Sequence, residues 1–390
     1  MRIRLSQEDR AFQLELREFF EQVPWEWREP IATDAPLRRE PIFKTHQILH
    51  EAGLAVPHWP LEWGGKDWSP LQLHLWDYEM HRAGLFGPMG ANTSLVGPVV
   101  YQFGTEQQKQ RFLPSIASLD MWFCQGFSEP EAGSDLAAVR TLAIRDGDEY
   151  VVTGQKIWTS LAHMADWIFA LVRTDPDAPR KQQGISFLLI DLASPGVTVR
   201  PIRMVNGEAD VNEVFFDHVR VPADQLVGEP HKGWGYAKFL LGNERVGNAQ
   251  IGHTKLRLSY AKRHAAEPLA DGSRLIDDPS VARRVAELEN ELVALELTAL
   301  RVTGGSVDGQ PDPASSVLKV RGTQLQQEVG ELIMDLAGTD SLATYAGAGS
   351  AIPSWARGSV GTYLDLRKAS IYGGSNEIQR NIIASSILGL

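Results

Sequence analysis

Residues 121 to about 230 carry the pattern that most limits what this chain can fold into. "EYVVTGQKIWTS", "DWIFALVRT", "GISFLLIDL", "GVTVRPI" and "NEVFFDHVRVP" are short β-branched and aromatic runs punctuated by Gly, Pro and Asp. No helical stretch of about 12 residues alternates with them, which disfavours a parallel sheet of βαβ units. An antiparallel sandwich or barrel fits better. On both sides the apolar period becomes helical. Upstream, Phe12, Leu14, Leu16, Phe19 and Phe20 form a rough helical stripe. "TEQQKQRFLPSIAS" reads as a helix N-capped by Thr105 and interrupted near Pro114. "VPHWPLEWGGKDWSP" is a Trp/Pro/Gly-rich connection. Downstream, Val281, Val285, Leu288, Leu292 and Leu295 are spaced 4-3-4-3. That stripe is the seam of a long bundle helix or a helix–helix subunit contact, or equally ordinary core packing within one chain. "AEPLADGSRLIDDPS" and "TGGSVDGQPDPASS" read as inter-helix loops. The expected order is α, β, α, an α+β chain of three domains at 1–120, 121–230 and 231–390.

The chain is long enough, at 390 residues, for two or three cores. Its net charge of −11, without a clustered basic face, disfavours nucleic acid as a partner. Cys124 is the single cysteine, so no internal disulfide forms, in keeping with a reducing cytoplasm. The charged N-terminal stretch lacks the apolar core of a secretory signal. No run of about 18 apolar residues suggests a membrane helix. A cytoplasmic protein with no membrane partner is expected. His46 and His50 stand i,i+4 on a helical stretch, but no third metal ligand is near, so ordinary helix-face histidines are the better reading. Cys124 has no flanking base to activate it and reads as a buried small residue. Neither G-x-G-x-x-G after a strand nor a P-loop is present.

Three segments concentrate the chemistry. "WFCQGFSEPEAGSDLAAVR" packs Gly126, Ser128, Glu129, Gly133, Ser134 and Asp135 into a strand-to-loop turn. Small residues there let backbone N–H groups approach a flat or anionic ligand. A plain capped turn would look the same. In "GQKIWTSLAHMADW", Trp158 stands beside Thr159 and Ser160, an aromatic wall next to hydroxyl donors, or else a core Trp at a strand end. In "IYGGSNEIQRNII", Gly373 and Gly374 permit a tight turn, and Ser375 or Asn376 can cap the next helix. Asn376 with Gln379 matches an N-x-x-Q capping box. The N–H groups at such a helix start attract phosphate.

Taken in order, "GFSEPEAGSD", "GQKIWTS" and "IYGGSNEIQRNIIASSILGL" resemble the acyl-CoA dehydrogenase family across nearly the whole chain, with Phe127 and Glu131 as departures in the first signature. Within it, "EPLADGSRLIDDPS", "PDPASSVLKV" and "LLGNERVG" look most like pimeloyl-CoA dehydrogenase large subunits. The resemblance implies an N-terminal helical domain, a middle antiparallel β-barrel, a C-terminal four-helix bundle, and bound FAD. It implies that Gln125, Phe127 and Ser128 flank the flavin and substrate, that Trp158, Thr159 and Ser160 cover the flavin, and that Ser375 and Glu377 contact it. It places Ser134 near the CoA arm. The implied partners are an acyl-CoA and an electron-transfer flavoprotein. A homo- or hetero-oligomer, dimer or tetramer, is also implied.

The chemistry such a site serves explains its parts. A thioester acidifies its α-proton only weakly, so a positioned carboxylate must remove it while a β-hydride leaves. N–H donors must hold the developing enolate oxygen. Many family members carry the catalytic Glu just after the Tyr of the C-terminal signature, where this chain has Gly373. A second arrangement in the family puts the base directly before an arginine on the first long C-terminal helix. Glu244 and Arg245 match it, with Arg245 supporting substrate binding or base geometry. A solvated Glu244 paired to a nearby Arg is the plainer reading. Gly373 retains a backbone N–H for the thioester carbonyl. The family's Arg-x-x-Phe-Gly stretch, which reaches a neighbour's FAD, has only Arg263 near its place, and "MDLAGTD" replaces the usual Gln-containing loop. Residues 340–365 resemble an insertion over the pocket or an interface. These departures suit a heteromer with a smaller partner subunit. The competing expectations are a non-catalytic subunit, an oxidase, or a desulfinase, the last opposed by Glu244.

Overall fold

The computed structural model describes residues 5–32, 37–304, 312–343, 352–353 and 355–390; of residues 29–32, 243–246, 248 and 304 it describes the backbone alone. Six helices precede the sheet: α1 (Gln7–Gln22), α2 (Trp25–Ala32), α3 (Arg39–Glu51), α4 (Pro70–Arg82), α5 (Gly97–Phe103) and α6 (Glu106–Ser118). The strands are β1 (Phe123–Gly126), β2 (Leu142–Asp146), β3 (Glu149–Ser160), β4 (Trp167–Arg173), β5 (Ile185–Asp191), β6 (Val197–Ile202), β7 (Val211–Pro222) and β8 (Leu226–Val227). Then come α7 (Gly233–Asn248), α8 (Ile251–Ala265), α9 (Pro279–Gly304), α10 (Ser315–Ala337), α11 (Ser359–Asp365) and α12 (Asn376–Ile383). The order α, β, α is the expected one.

The chain divides into two compact units, one of Met1–Thr45, Trp68–Gly87 and Arg245–Leu390, the other of His46–Asp67 and Pro88–Glu244. The N-terminal helices are therefore shared out: α1, α2 and α4 belong with α8–α12, whereas α5 and α6 belong with the sheet.

In the sheet unit the strands pair in the order β6-β7-β3-β2-β4-β5-β8, mainly antiparallel. β1 joins β4 in parallel, Phe123 opposite Trp167, and β2 meets β4 in parallel at Leu142 and Arg173. No βαβ crossover of the kind disfavoured above occurs among the described residues. β4 and β5 are buried on both faces over six successive residues, which is why they read as continuous apolar runs rather than alternating ones. The terminal strand β6 has no buried residue. Val152, Ile168, Ala170, Leu188, Ile190 and Val214 form the centre of the core. α6 starts on the expected Thr105 cap, its hydroxyl accepting from the Gln108 N–H at 3.2 Å. It does not break at Pro114, which lies inside the helix. One backbone donor is lost there, but Phe112, Leu113 and Ile116 are fully buried, and that packing carries the helix past the proline.

His46 is a core histidine. Met89 donates its N–H to Nδ1 at 3.1 Å, and Nε2 lies 2.8 Å from the Ala117 carbonyl. An acceptor at Nδ1 places the proton on Nε2, so the ring is neutral. His50 is exposed, and the described residues contain no cluster of metal ligands. Burial pushes His46 down to about 4. Its unfolded value is near 6.5, so between those two values the unfolded chain binds the extra proton. Stability therefore falls on acidification through this window, by on the order of 3 kcal/mol. Urea titrations at several pH values should show a flatter acid limb for His46→Gln than for wild type; identical limbs would refute this assignment.

In the helical unit, α4 packs against α1, α8 and α9. Gly252 permits the approach of α8: a Cβ there would lie 2.9 Å from the His81 ring. Buried Glu79 of α4 accepts from Gln13, Arg17 and Arg82, fastening α1 down. Burial favours its neutral form, yet those donors hold the carboxyl below its ordinary range. In the expected stripe of α1, Leu16 and Phe20 are buried, but Leu14 faces solvent. The α9 stripe is core: Val285, Leu288, Leu292 and Leu295 pack with Leu258, Leu318 and Leu325. That decides between the two readings of the 4-3-4-3 spacing. Of residues 340–365, 344–351 and 354 lie outside the described residues. Trp355 stacks on His264 at 4.5 Å, and α11 packs on α10. Among the described residues, no helix is long and apolar enough to cross a membrane.

Candidate active site

In the sheet unit, the turn after β1 and the end of β3 come together. The Ile157 N–H donates to the Ser128 carbonyl at 2.9 Å, tying the two expected segments to each other. Beneath them lies a buried ion pair. Lys156 Nζ, with no exposed surface, donates to Glu129 Oε1 and the Leu171 carbonyl, each at 2.6 Å, and to the Phe127 carbonyl at 3.3 Å. Glu129 also accepts the backbone N–H groups of Arg140 at 2.6 Å and Thr141 at 3.0 Å. Burial pulls the ammonium down to about 8, against the charge of Glu129. Burial also works to raise the Glu129 carboxyl, but Lys156 and the N–H donors hold it below its usual range. Both groups are ionised at neutral pH. The sequence motifs assign neither residue a role of its own. Glu129 lay in plain view in the first signature, but its partner stands on another strand.

The pairing of β3 with β7 slips between Lys156 and Thr159. In that slip Trp158 has φ +60° and is 55% exposed. A bulky residue in the left-handed region costs about 1–2 kcal/mol and persists only where its surroundings hold it. The neighbouring Thr159 is buried, and its Oγ1 has no hydrogen-bond partner among the described residues. Ser160 is exposed. Gln125 is half-buried on β1, opposite Phe169. Phe127 is only 5% exposed, its ring edge-on to Phe169 and Phe187, so it can meet a ligand chiefly through its backbone. Ser134 is exposed on the loop that follows.

In the helical unit, Gly373 and Gly374 have φ of +61° and +80°, the turn that glycines permit. Ser375 is the N-cap of α12, its hydroxyl accepting from the Ile378 N–H at 3.4 Å. The N-x-x-Q box does not form. Asn376 is the first helical residue and faces Lys319 and Thr323, while Gln379 donates back to the carbonyls of Gly373 and Gly374. Once serine takes the cap, the register shifts by one and glutamine closes the glycine turn instead. Glu377 is exposed in the first turn of α12. Its own backbone N–H and then Ser375 hold its carboxyl below the ordinary value. Arg263 stacks over the Tyr260 ring in the last turn of α8. Glu244 and Arg245 fall on α7, but their side chains lie outside the described residues.

Family models for the acyl-CoA dehydrogenase N-terminal, middle and C-terminal domains match residues 6–120, 124–219 and 231–388. This chain belongs to the acyl-CoA dehydrogenase family. It is 41% identical over 349 residues to acyl-CoA dehydrogenase IpdE1 of Mycobacterium tuberculosis, spanning 88% of this chain and 87% of that one. The ChsE4-ChsE5 complex from the same organism superposes with a TM-score of 0.84 at 33% identity, covering 100% and 99% of the two chains. The Tcur3481-Tcur3483 steroid ACAD gives 0.85 at 29% identity, again covering 100% and 99%. Acyl-CoA dehydrogenases are FAD-dependent oxidoreductases, and the residues here suit that cofactor. An orphaned buried hydroxyl at Thr159, worth about 1–3 kcal/mol when unpaired, stands beside the exposed Trp158. A planar ring with polar edges would satisfy the first and cover the second.

Proposed function

We propose that this acyl-CoA dehydrogenase removes the α-proton of an acyl-CoA thioester with Glu244 as base, giving the trans-2-enoyl-CoA. When bound, FAD supplies the acceptor for the β-hydride. Glu244 takes the proton, Arg245 positions the carboxylate or the substrate, and the Gly373 N–H holds the thioester oxygen as charge develops. Gln125, Ser128 and the Phe127 backbone flank the flavin and the acyl group. Trp158, Thr159 and Ser160 cover the flavin, and Ser375 and Glu377 meet it at the start of α12. Ser134 lies along the CoA arm. Electrons then pass to an electron-transfer flavoprotein. The observation that carries the flavin reading is the unpartnered Thr159 hydroxyl beside the left-handed, exposed Trp158.

For the acyl group, likeness to pimeloyl-CoA dehydrogenases points to dicarboxylyl or medium-chain thioesters. The similar structures instead include one named a steroid ACAD. We favour an acyl chain borne on a bulky polycycle, handled by a hetero-oligomer; the two-chain names of both similar structures support the assembly. Flavin bleaching with pimeloyl-CoA, octanoyl-CoA and a steroid-bearing thioester separates the choices. The steroid thioester should bleach fastest, in protein produced together with a smaller family subunit. Faster bleaching by octanoyl-CoA in the chain purified alone would reject both parts. Peroxide released without an added acceptor would mark an oxidase.

A further inference from the structure

We infer that Lys156 and Glu129 are positioning residues, whose buried ion pair sets the geometry of the flavin-covering residues rather than the stability of the sheet. The inference rests on the roles proposed above for Ser128, Trp158 and Thr159. Lys156 draws three stretches onto one ammonium: the turn at Phe127, the carboxylate of Glu129, and β4 at Leu171. Glu129 then fixes the segment entering β2 through the N–H groups of Arg140 and Thr141. A buried pair is seldom more stabilising than well-packed apolar side chains of the same size, whereas it demands particular partners at particular distances. Those partners converge where the ladder slips. Lys156 is the last paired residue before the slip, Trp158 takes its left-handed conformation two residues on, and Thr159 resumes the pairing. The pair fastens the near side of the slip, and the Ile157 N–H to the Ser128 carbonyl fastens it to the turn. Together they hold Trp158 in a conformation it would otherwise leave.

The test compares wild type with the double variant Lys156→Met/Glu129→Gln, which removes both charges together. Apoprotein melting, FAD affinity by fluorescence quenching, and the visible flavin spectrum are measured on each. The double variant should melt closer to wild type than Lys156→Met alone, with only the Leu171 and Phe127 carbonyls left short of a donor, yet bind FAD on the order of tenfold more weakly, about the loss of one well-formed hydrogen bond, with a shifted flavin band. Glu129→Asp keeps both charges and shortens one arm, so it serves if the double variant does not fold; weaker FAD binding is expected there too. Either folded variant binding FAD as tightly as wild type, with an unshifted spectrum, overturns the inference. A purely structural pair would move the melting temperature and leave those two readouts alone. Wild-type bleaching by acyl-CoA is followed in the same series. Failure to bleach, alongside weakened FAD in the variants, rejects the dehydrogenation and leaves the positioning role standing.

Discussion

Glu244→Gln is expected to keep its full complement of FAD and lose nearly all reduction by acyl-CoA. Positioned general bases contribute about 10²–10⁴-fold, and the amide cannot accept the α-proton at neutral pH. The substitution keeps the size of the side chain, so melting temperature and FAD content should match wild type. Stopped-flow bleaching with a saturating thioester reads the result. Reduction at the wild-type rate would remove Glu244 from the mechanism and reopen the search for the base. The Gly373 N–H survives in this variant, so substrate affinity should change much less than rate.

The second large effect is on stability. Lys156→Met leaves Glu129 charged in a site that burial makes hostile to an unpaired carboxylate, and breaking a buried pair in this way costs about 3–5 kcal/mol. Urea unfolding of the apoprotein at neutral pH should show a deficit of that order. The sign of its pH dependence is diagnostic. Without Lys156, burial is opposed only by the N–H groups of Arg140 and Thr141, so the folded pKa of Glu129 rises relative to wild type. The folded variant then binds a proton that folded wild type does not, so the deficit shrinks as pH falls through that raised pKa. A deficit that grows on acidification, or no deficit, would show that the pair is not holding the two charges as described. This stability effect is separable from positioning, because the charge-free double variant removes the uncompensated carboxylate.

Much of the fold is legible in the sequence, because local signals carry it. The 4-3-4-3 stripe of α9 is a property of consecutive residues, and Thr105 with Gln108 caps α6 within four positions. What escaped depends on distant contacts. Pro114 looks like a breaker in isolation, and only the burial of Phe112, Leu113 and Ile116 shows why the helix continues. The parallel seating of β1 beside β4 joins residues more than forty positions apart, as at Phe123 and Trp167. Grouping α1 and α4 with the C-terminal helices depends on Glu79 and on the close approach at Gly252, neither visible as a pattern. The candidate site divides in the same way. Trp158, Thr159 and Ser375 stand out by residue type in short motifs. The Lys156–Glu129 pair spans 27 positions, and its meaning lies in which carbonyls it gathers. The capping box at Asn376 failed for a local reason, since Ser375 was an equally good cap one residue earlier.

The turn at Gly373 also limits which side chains can stand there. In this chain residue 373 has φ +61°, where any side chain costs about 1–2 kcal/mol. A Gly373→Glu substitution would therefore meet a backbone that resists it, and the next residue, Gly374, is left-handed as well. Under the mechanism proposed above, a carboxylate introduced at 373 would have to overcome that cost before it could stand in for Glu244.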